Sequence, residues 1–229
     1  MSLPGARAVR AALTVTFLFS AVAAAHDVAI SDRQFVESVA GPAFIPFLYL
    51  GAKHMITGYD HVLFLVGVVF FLYRLRDIVI YVSMFTIGHS LTLMGGVLSG
   101  IGANAHIVDA IIGLSVVYKS VENIGGFSRL GLSINTKVAI FVFGLFHGMG
   151  LATKLEDLSI SPDGLLVNLV GFNLGVEIGQ ILVLLVVVTL LNLWRTSPSF
   201  AAGARYANGL LIVAGLLLTG IQISGYIYS

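Results

Sequence analysis

An all-α bundle of membrane-spanning helices is the fold this sequence predicts, and three observations predict it. Hydrophobic residues make up 58% of the 229-residue chain and charged residues only 10%, with a mean hydropathy of +1.00; a soluble domain carries about a quarter of its residues as charges. Apolar runs long enough to enter a bilayer recur six times after residue 40, and helices are the open-chain structure that satisfies its own backbone there. The basic residues gather in alternate connections between those runs, as the loops of an oriented polytopic protein do.

Taken in order, the chain begins with Arg7 and Arg10 ahead of the apolar run Ala11 to Val22, followed by Ala23-Ala24-Ala25. This is the pattern of a cleavable signal peptide over residues 1–25, and the run falls short of the roughly 20 residues a span needs. Residues 26–229 are then a single transmembrane domain. Cleavage after Ala25 leaves His26-Asp27 at the new terminus, where an amine beside an imidazole can chelate copper or nickel. A terminal His with no such role is the commoner case.

A polar stretch from Ser31 to Ser38 leads to the first apolar segment, Gly51 to Tyr73, with Ala43 to Met55 as a half-helix or amphipathic lead-in. Five further spans are expected at about 77–98, 105–124, 137–153, 165–194 and 206–226. Arg74, Arg76, Arg129, Lys137, Arg195 and Arg205 lie at one set of ends, whereas Lys53 and Lys154 are the basic residues near the other, which also carries Glu156, Asp157 and Asp163. The positive-inside bias sets the mature N-terminus on the periplasmic side of a bacterial inner membrane. Among 26 glycines, Gly171, Gly175 and Gly179 form a small-xxx-small face for close helix packing.

Chemistry concentrates in the first span, which carries His54, Asp60 and His61 into apolar sequence. An ionisable group at membrane depth costs about 2.5–3.5 kcal/mol on insertion scales, so its default reading is functional. Cysteine is absent, which excludes thiolate zinc, iron–sulfur and disulfide chemistry. A metal held by imidazole and carboxylate would be nickel, cobalt, zinc, copper or iron. The net charge of +1 gives no basic surface for nucleic acid.

Depth joins these residues to others. Counting about 1.5 Å per residue from the helix ends, His61 and His89 stand about 18 Å from the inner boundary, His147 about 15 Å and Glu177 about 12 Å, within one mid-membrane layer. His54, His106, Asp109 and Asn168 fall near the outer boundary, and Lys119, Glu122 and Asn123 near the inner one. Polar groups at three levels suit a conduction pathway, with Asp109, Glu122 and Asn123 along it. Thr86, Ser90, Thr92, Asn173 and Gln180 are candidates to orient the ligands by hydrogen bonds; plain interhelical bonding is the bland role for each. On a straight helix His54 and His61 share a face but stand about 10.5 Å apart along the axis, too far to share an ion. Either the helix breaks at Gly58 or His54 is a separate outer station, and the second option is preferred.

The ordered motifs H-x5-D-H (His54, Asp60, His61), GHS (Gly88–Ser90), VEN (Val121–Asn123), FHG (Phe146–Gly148) and FNLGVEIGQ (Phe172–Gln180) resemble the HupE/UreJ membrane proteins over about residues 44–193. The first two are also similar to nickel/cobalt permeases of the NiCoT type. The resemblance implies transition-metal uptake linked to nickel supply for hydrogenase and urease, with His54, Asp60, His61 and His147 as metal-handling positions. After His147 the chain departs from the family pattern, its next acidic residue coming only at Glu156.

The leading expectation is therefore a permease for a divalent cation, nickel or cobalt before zinc or copper. Its ligands would be His54, Asp60, His61, His89, His147 and Glu177, and it would deliver to a cytoplasmic metal acceptor. With no phosphate-binding loop in the sequence, it would run on the ion gradient or the membrane potential, at about 2.3 kcal/mol per charge per 100 mV, or on trapping by that acceptor. The alternatives are an intramembrane metalloenzyme activating water on zinc or iron, and a haem or metal accessory protein with axial histidines.

Overall fold

The computed structural model describes residues 30–156 and 162–228, so the expected signal peptide and His26-Asp27 lie outside the described residues. The described residues hold nine helices and no strand: α1 (Ile30–Ser38), α2 (Phe44–Thr57), α3 (Tyr59–Val69), α4 (Leu75–Ser99), α5 (Ala105–Asn123), α6 (Gly126–Arg129), α7 (Thr136–Glu156), α8 (Leu165–Arg195) and α9 (Phe200–Tyr228). Four of them, α4, α7 (to Leu155), α8 and α9, are long and apolar enough to cross a bilayer. At 19 residues, α5 is also of near-spanning length, but it carries Asp109, Lys119 and Glu122. The expected first span is divided between α2 and α3, which together run from Phe44 to Val69, about 39 Å of chain at helical rise; α3 is a shorter apolar helix.

Local chemistry sets the helix ends. Asn104 caps α5, its side chain accepting from the Ile107 N–H, and α4 stops at Gly100, whose left-handed φ of 63° suits a residue without Cβ. At the basic end, where Arg74, Arg76, Arg129, Lys137, Arg195 and Arg205 collect, Arg195 donates to the carbonyls of Val69 and Phe70 at 2.8 and 2.6 Å. It thereby ties down carbonyls at the end of α3, that of Val69 accepting from the Leu72 N–H as well, while its guanidinium lies 4.4 Å over the Tyr73 ring.

Three helix pairs make the bundle, each pressed together where glycines remove the side chain. A Cβ on Gly171, Gly175 or Gly179 would strike the α2 carbonyl of Phe44, Leu48 or Ala52, at 2.0 Å for Leu48. The contacts advance four residues at a time on both helices, so α2 and α8 run parallel. The pair α4 and α7 repeats the arrangement, with Gly144 against the Phe85 carbonyl and Gly148 against that of His89. Helices α5 and α9 are antiparallel and meet at Gly113 and Gly215. Without a hydrophobic drive between helices in lipid, such backbone approach supplies the packing. For the site, the consequence is that the histidine-bearing faces of α4 and α7 are locked in register.

Candidate metal centre

The chain turns at Gly58, and that turn builds the site. Gly58 leaves the helix at φ −71° and ψ 100°, donating its N–H to the His54 carbonyl at 2.8 Å, and α3 restarts at Tyr59. A Cβ at this position would sit 2.9 Å from His61 Nδ1 and 3.0 Å from the His54 oxygen. A side chain there is fitted only if the His61 ring moves. The break brings the His54 and His61 rings to 5.0 Å between centroids, where a straight helix would hold them about 10.5 Å apart. The preference for His54 as a separate outer station is thus corrected: the helix breaks, and His54 joins the central group.

His61 is the hub. Its ring lies 5.0 Å from that of His147 on α7 and 6.1 Å from that of His89 on α4. Four helices therefore each contribute one imidazole, and His61, His89 and His147 are almost wholly buried. Aromatic rings wall the group: Phe85 packs on His147 at 4.9 Å, Phe64 on His147 at 5.3 Å, and Phe172 on His54 at 6.0 Å.

The hydrogen bonds fix which nitrogens are free. His147 Nδ1 is 2.7 Å from the Phe143 carbonyl; a carbonyl only accepts, so Nδ1 carries the proton and a neutral ring keeps its lone pair on Nε2. His61 Nδ1 is 3.0 Å from Asp60 Oδ1, the carboxylate–histidine arrangement that orients metal-binding imidazoles and raises their basicity. The Nε2 atoms of His54, His61, His89 and His147, with Nδ1 of His89, are buried and have no partner. Buried polar atoms are normally hydrogen-bonded, so a cluster of orphans calls for an explanation. The rings stand in edge contact rather than around a point: among the described residues no three His, Asp or Glu side chains are arranged to hold an ion.

The chain belongs to the HupE/UreJ family. The family model for HupE / UreJ protein matches residues 30–229, which include the whole site. Neither the curated proteins nor the solved structures contain a match to this chain. Membership brings a transition-metal-handling role in a membrane, for which neutral imidazoles are suitable ligands.

The other expected site residues of this HupE/UreJ protein divide by location. Glu177 does not join the histidines: it is exposed on the wall of an apolar groove of about 640 Å³ between α4 and α8. Its depth matches the cluster, but α8 turns Phe172, Gly175, Val176 and Gly179 inward, which points residue 177 outward. Gln180 accepts a 2.8 Å bond from Thr86 on the same groove, and its Nε2 is buried without a partner. Asn173 donates to the Leu169 carbonyl and leaves its Oδ1 orphaned. Ser90 is half-buried beside His89, while Thr92 donates to the Leu145 carbonyl at 2.7 Å and joins α4 to α7.

Asp109, Glu122 and Asn123 are all engaged. Lys154 reaches both Asp109 oxygens at 2.9 and 3.2 Å. Lys119 bonds Glu122 at 2.7 Å and Asn123 at 3.0 Å, and Thr136 donates to the other Glu122 oxygen. Asn123 in turn donates to the Gly67 carbonyl and to Asn208 at 2.8 and 2.9 Å. Asn208, wholly buried in α9, is a member sequence reasoning missed; an Asn amid the apolar run of the last span was its signal. At the opposite end, Asn168 clamps Gly41 and Ala43, and His106 bonds Gln222 at 2.8 Å.

Proposed function

We propose that this protein is a permease of the bacterial inner membrane that carries a divalent transition metal, nickel or cobalt, from periplasm to cytoplasm. The observation that carries the proposal is the convergence of four imidazoles from α2, α3, α4 and α7 with their Nε2 atoms buried and unpartnered. His54, His61, His89 and His147 are the proposed ligands. Asp60 fixes the His61 tautomer and supplies negative charge. Soft-to-borderline nitrogen donors favour nickel, cobalt, zinc or copper over magnesium or calcium.

Rings in contact but not gathered around one point suit an ion that must be taken up and released. Small rotations bring nitrogens to the roughly 2.0–2.1 Å that metal–imidazole bonds require, and reversing them loosens the ion again. The orientation, with the mature N-terminus outside, rests on the basic residues gathered at one set of helix ends and on the export signal over residues 1–25. A cytoplasmic acceptor would hold the metal once it has crossed.

Reconstitution tests this. Liposomes containing the protein should take up nickel or cobalt saturably, and His61→Ala should reduce uptake to the protein-free background. Tight stoichiometric binding with no metal crossing the bilayer would refute transport.

A further inference from the structure

We propose that Asp109 and Glu122 are cation stations at the two ends of the route to the histidines, each kept closed by a lysine of this chain that the travelling divalent cation displaces. The inference rests on the permease reading. The same device occurs twice. On the side away from the basic end, Asp109 is 5% exposed, and Lys154 from the last turn of α7 spans both its oxygens. Lys154 lies seven residues beyond His147, and between them Gly150 makes a notch in the helix wall that Val108 and Ile112 of α5 fill. A Cβ there would be 3.1 Å from Val108 Cγ1, 3.4 Å from Ile112 Cδ1 and 3.6 Å from Asp109 Oδ1. The ion pair thus sits on the same face of α7 as His147, about two turns away.

At the basic end, Lys119 is 7% exposed and its ammonium is held by Glu122 and Asn123. Its stem covers a second notch, Gly67 of α3, lying 3.4 and 3.6 Å from the position of a Cβ. Gly67 is six residues beyond His61. Ser120 borders the same notch, fully buried, with an unpartnered hydroxyl. Between this pair and the histidines stand Phe64, Phe143 and Tyr118, in ring contact at 6.0 and 5.1 Å, so the route at the basic end is closed by aromatic rings as well.

Exchange is the chemistry that fits. A buried pair broken by simple removal of one partner leaves an uncompensated charge, which is strongly unfavourable. A divalent cation replacing the ammonium leaves the carboxylate paired throughout and frees the lysine stem to swing out of its notch. The displaced ammonium then repels a second cation, so ions pass singly. Lysine serves because its ammonium is a compact charge on a flexible stem.

The chain has no cysteine, so an introduced thiol is the sole target of a thiol reagent. Ile112, 3% exposed and one turn inward of Asp109, is replaced in Ile112→Cys. The protein is reconstituted and treated with a membrane-impermeant thiol reagent applied from the Asp109 side. Nickel or cobalt should raise the labelling rate about tenfold, as expected when a state populated at roughly 1–10% becomes dominant. Lys154→Met should raise it without metal, and Asp109→Asn should abolish the metal response. A metal ion binding the new thiol itself would lower labelling, the opposite sign. Labelling indifferent to both metal and Lys154→Met overturns the proposal. If Lys154→Met does not fold, the uncharged double variant Asp109→Asn/Lys154→Gln serves: its labelling should ignore metal, and a persisting metal response overturns the proposal equally. Metal uptake by liposomes, followed in parallel, separates the two readings. Uptake with indifferent labelling leaves the permease and removes the lysine gates, whereas responsive labelling without uptake leaves the cation stations and removes the permease.

Discussion

The charged groups at the ends of this bundle and the Nε2 atoms of the histidines at its middle are treated in opposite ways. At the basic end, Lys119, Glu122, Asn123, Thr136 and Asn208 form one bonded network across α5, α7 and α9 that also reaches Gly67 of α3. At the other end Asp109 is bonded to Lys154 and His106 to Gln222. In the middle, His54, His61, His89 and His147 leave five buried nitrogens without a partner. Paired polar groups hold helices together; unpaired ones in a low-dielectric interior reduce stability and persist where they have another use. The ends are therefore built for architecture and closure, and the middle for a ligand.

The sharpest way to break this contrast is to remove one polar group from each region. His89 has neither ring nitrogen bonded, so His89→Leu should leave the melting temperature unchanged or raised while metal uptake falls by about 100-fold or more, the upper range even for losses of groups that only support a ligand. Asn208→Leu should do the reverse in stability. It leaves one N–H of the Asn123 amide without its acceptor, at a cost of about 1–3 kcal/mol, with uptake per folded molecule reduced far less. Thermal unfolding in detergent beside liposome uptake checks both. A His89→Leu protein that unfolds early would show that the middle is architectural after all.

Next in size is Gly175→Val. A Cβ at 2.0 Å from the Leu48 carbonyl forces α2 off α8, and overpacking of this kind costs about 1–3 kcal/mol. Because α2 carries His54, the same variant should weaken metal binding, measured by titration of the folded fraction. A smaller effect is expected from Gly58→Ala. Its methyl meets His61 Nδ1 at 2.9 Å, so the imidazole must shift and the half-saturating metal concentration should rise several-fold, with little change in melting temperature.

The sequence carried much of this arrangement, and its failures have physical causes. Expected spans at 77–98 and 165–194 became α4 (Leu75–Ser99) and α8 (Leu165–Arg195), because a bilayer demands long apolar runs whatever their partners. The close approach at Gly171, Gly175 and Gly179 was legible for the same reason: lipid offers few ways to pack helices. Depth was legible too, since helical rise is constant; it placed His61, His89 and His147 in one layer. The conformation of Gly58 was not legible, because its φ and ψ are open to any residue and only the His61 ring and the His54 carbonyl crowd a side chain there. Pairing was equally hidden. That Lys154 meets Asp109, 45 positions away, follows from how α5 and α7 are rotated, and a periodic apolar pattern does not specify rotation closely enough.

Rotation is also what separates Glu177 from the histidines, and the smallest predicted effect follows from it. At the same depth as His89, Glu177 faces the groove between α4 and α8 rather than the interior. The backbone contacts of Gly175 and Gly179 with α2 hold α8 in that orientation. Bringing Glu177 to where Phe172 meets His54 would require turning α8 by about 140°, the net angle five residues subtend on a helix with 3.6 residues per turn, and those contacts forbid it. Glu177→Gln should therefore leave nickel and cobalt uptake within about twofold of wild type. It should also remove a carboxylate from the lipid-facing surface, a change that leaves stability equal or higher. Loss of uptake with the fold intact would mean that α8 rotates during transport, and would move Glu177 back among the ligands.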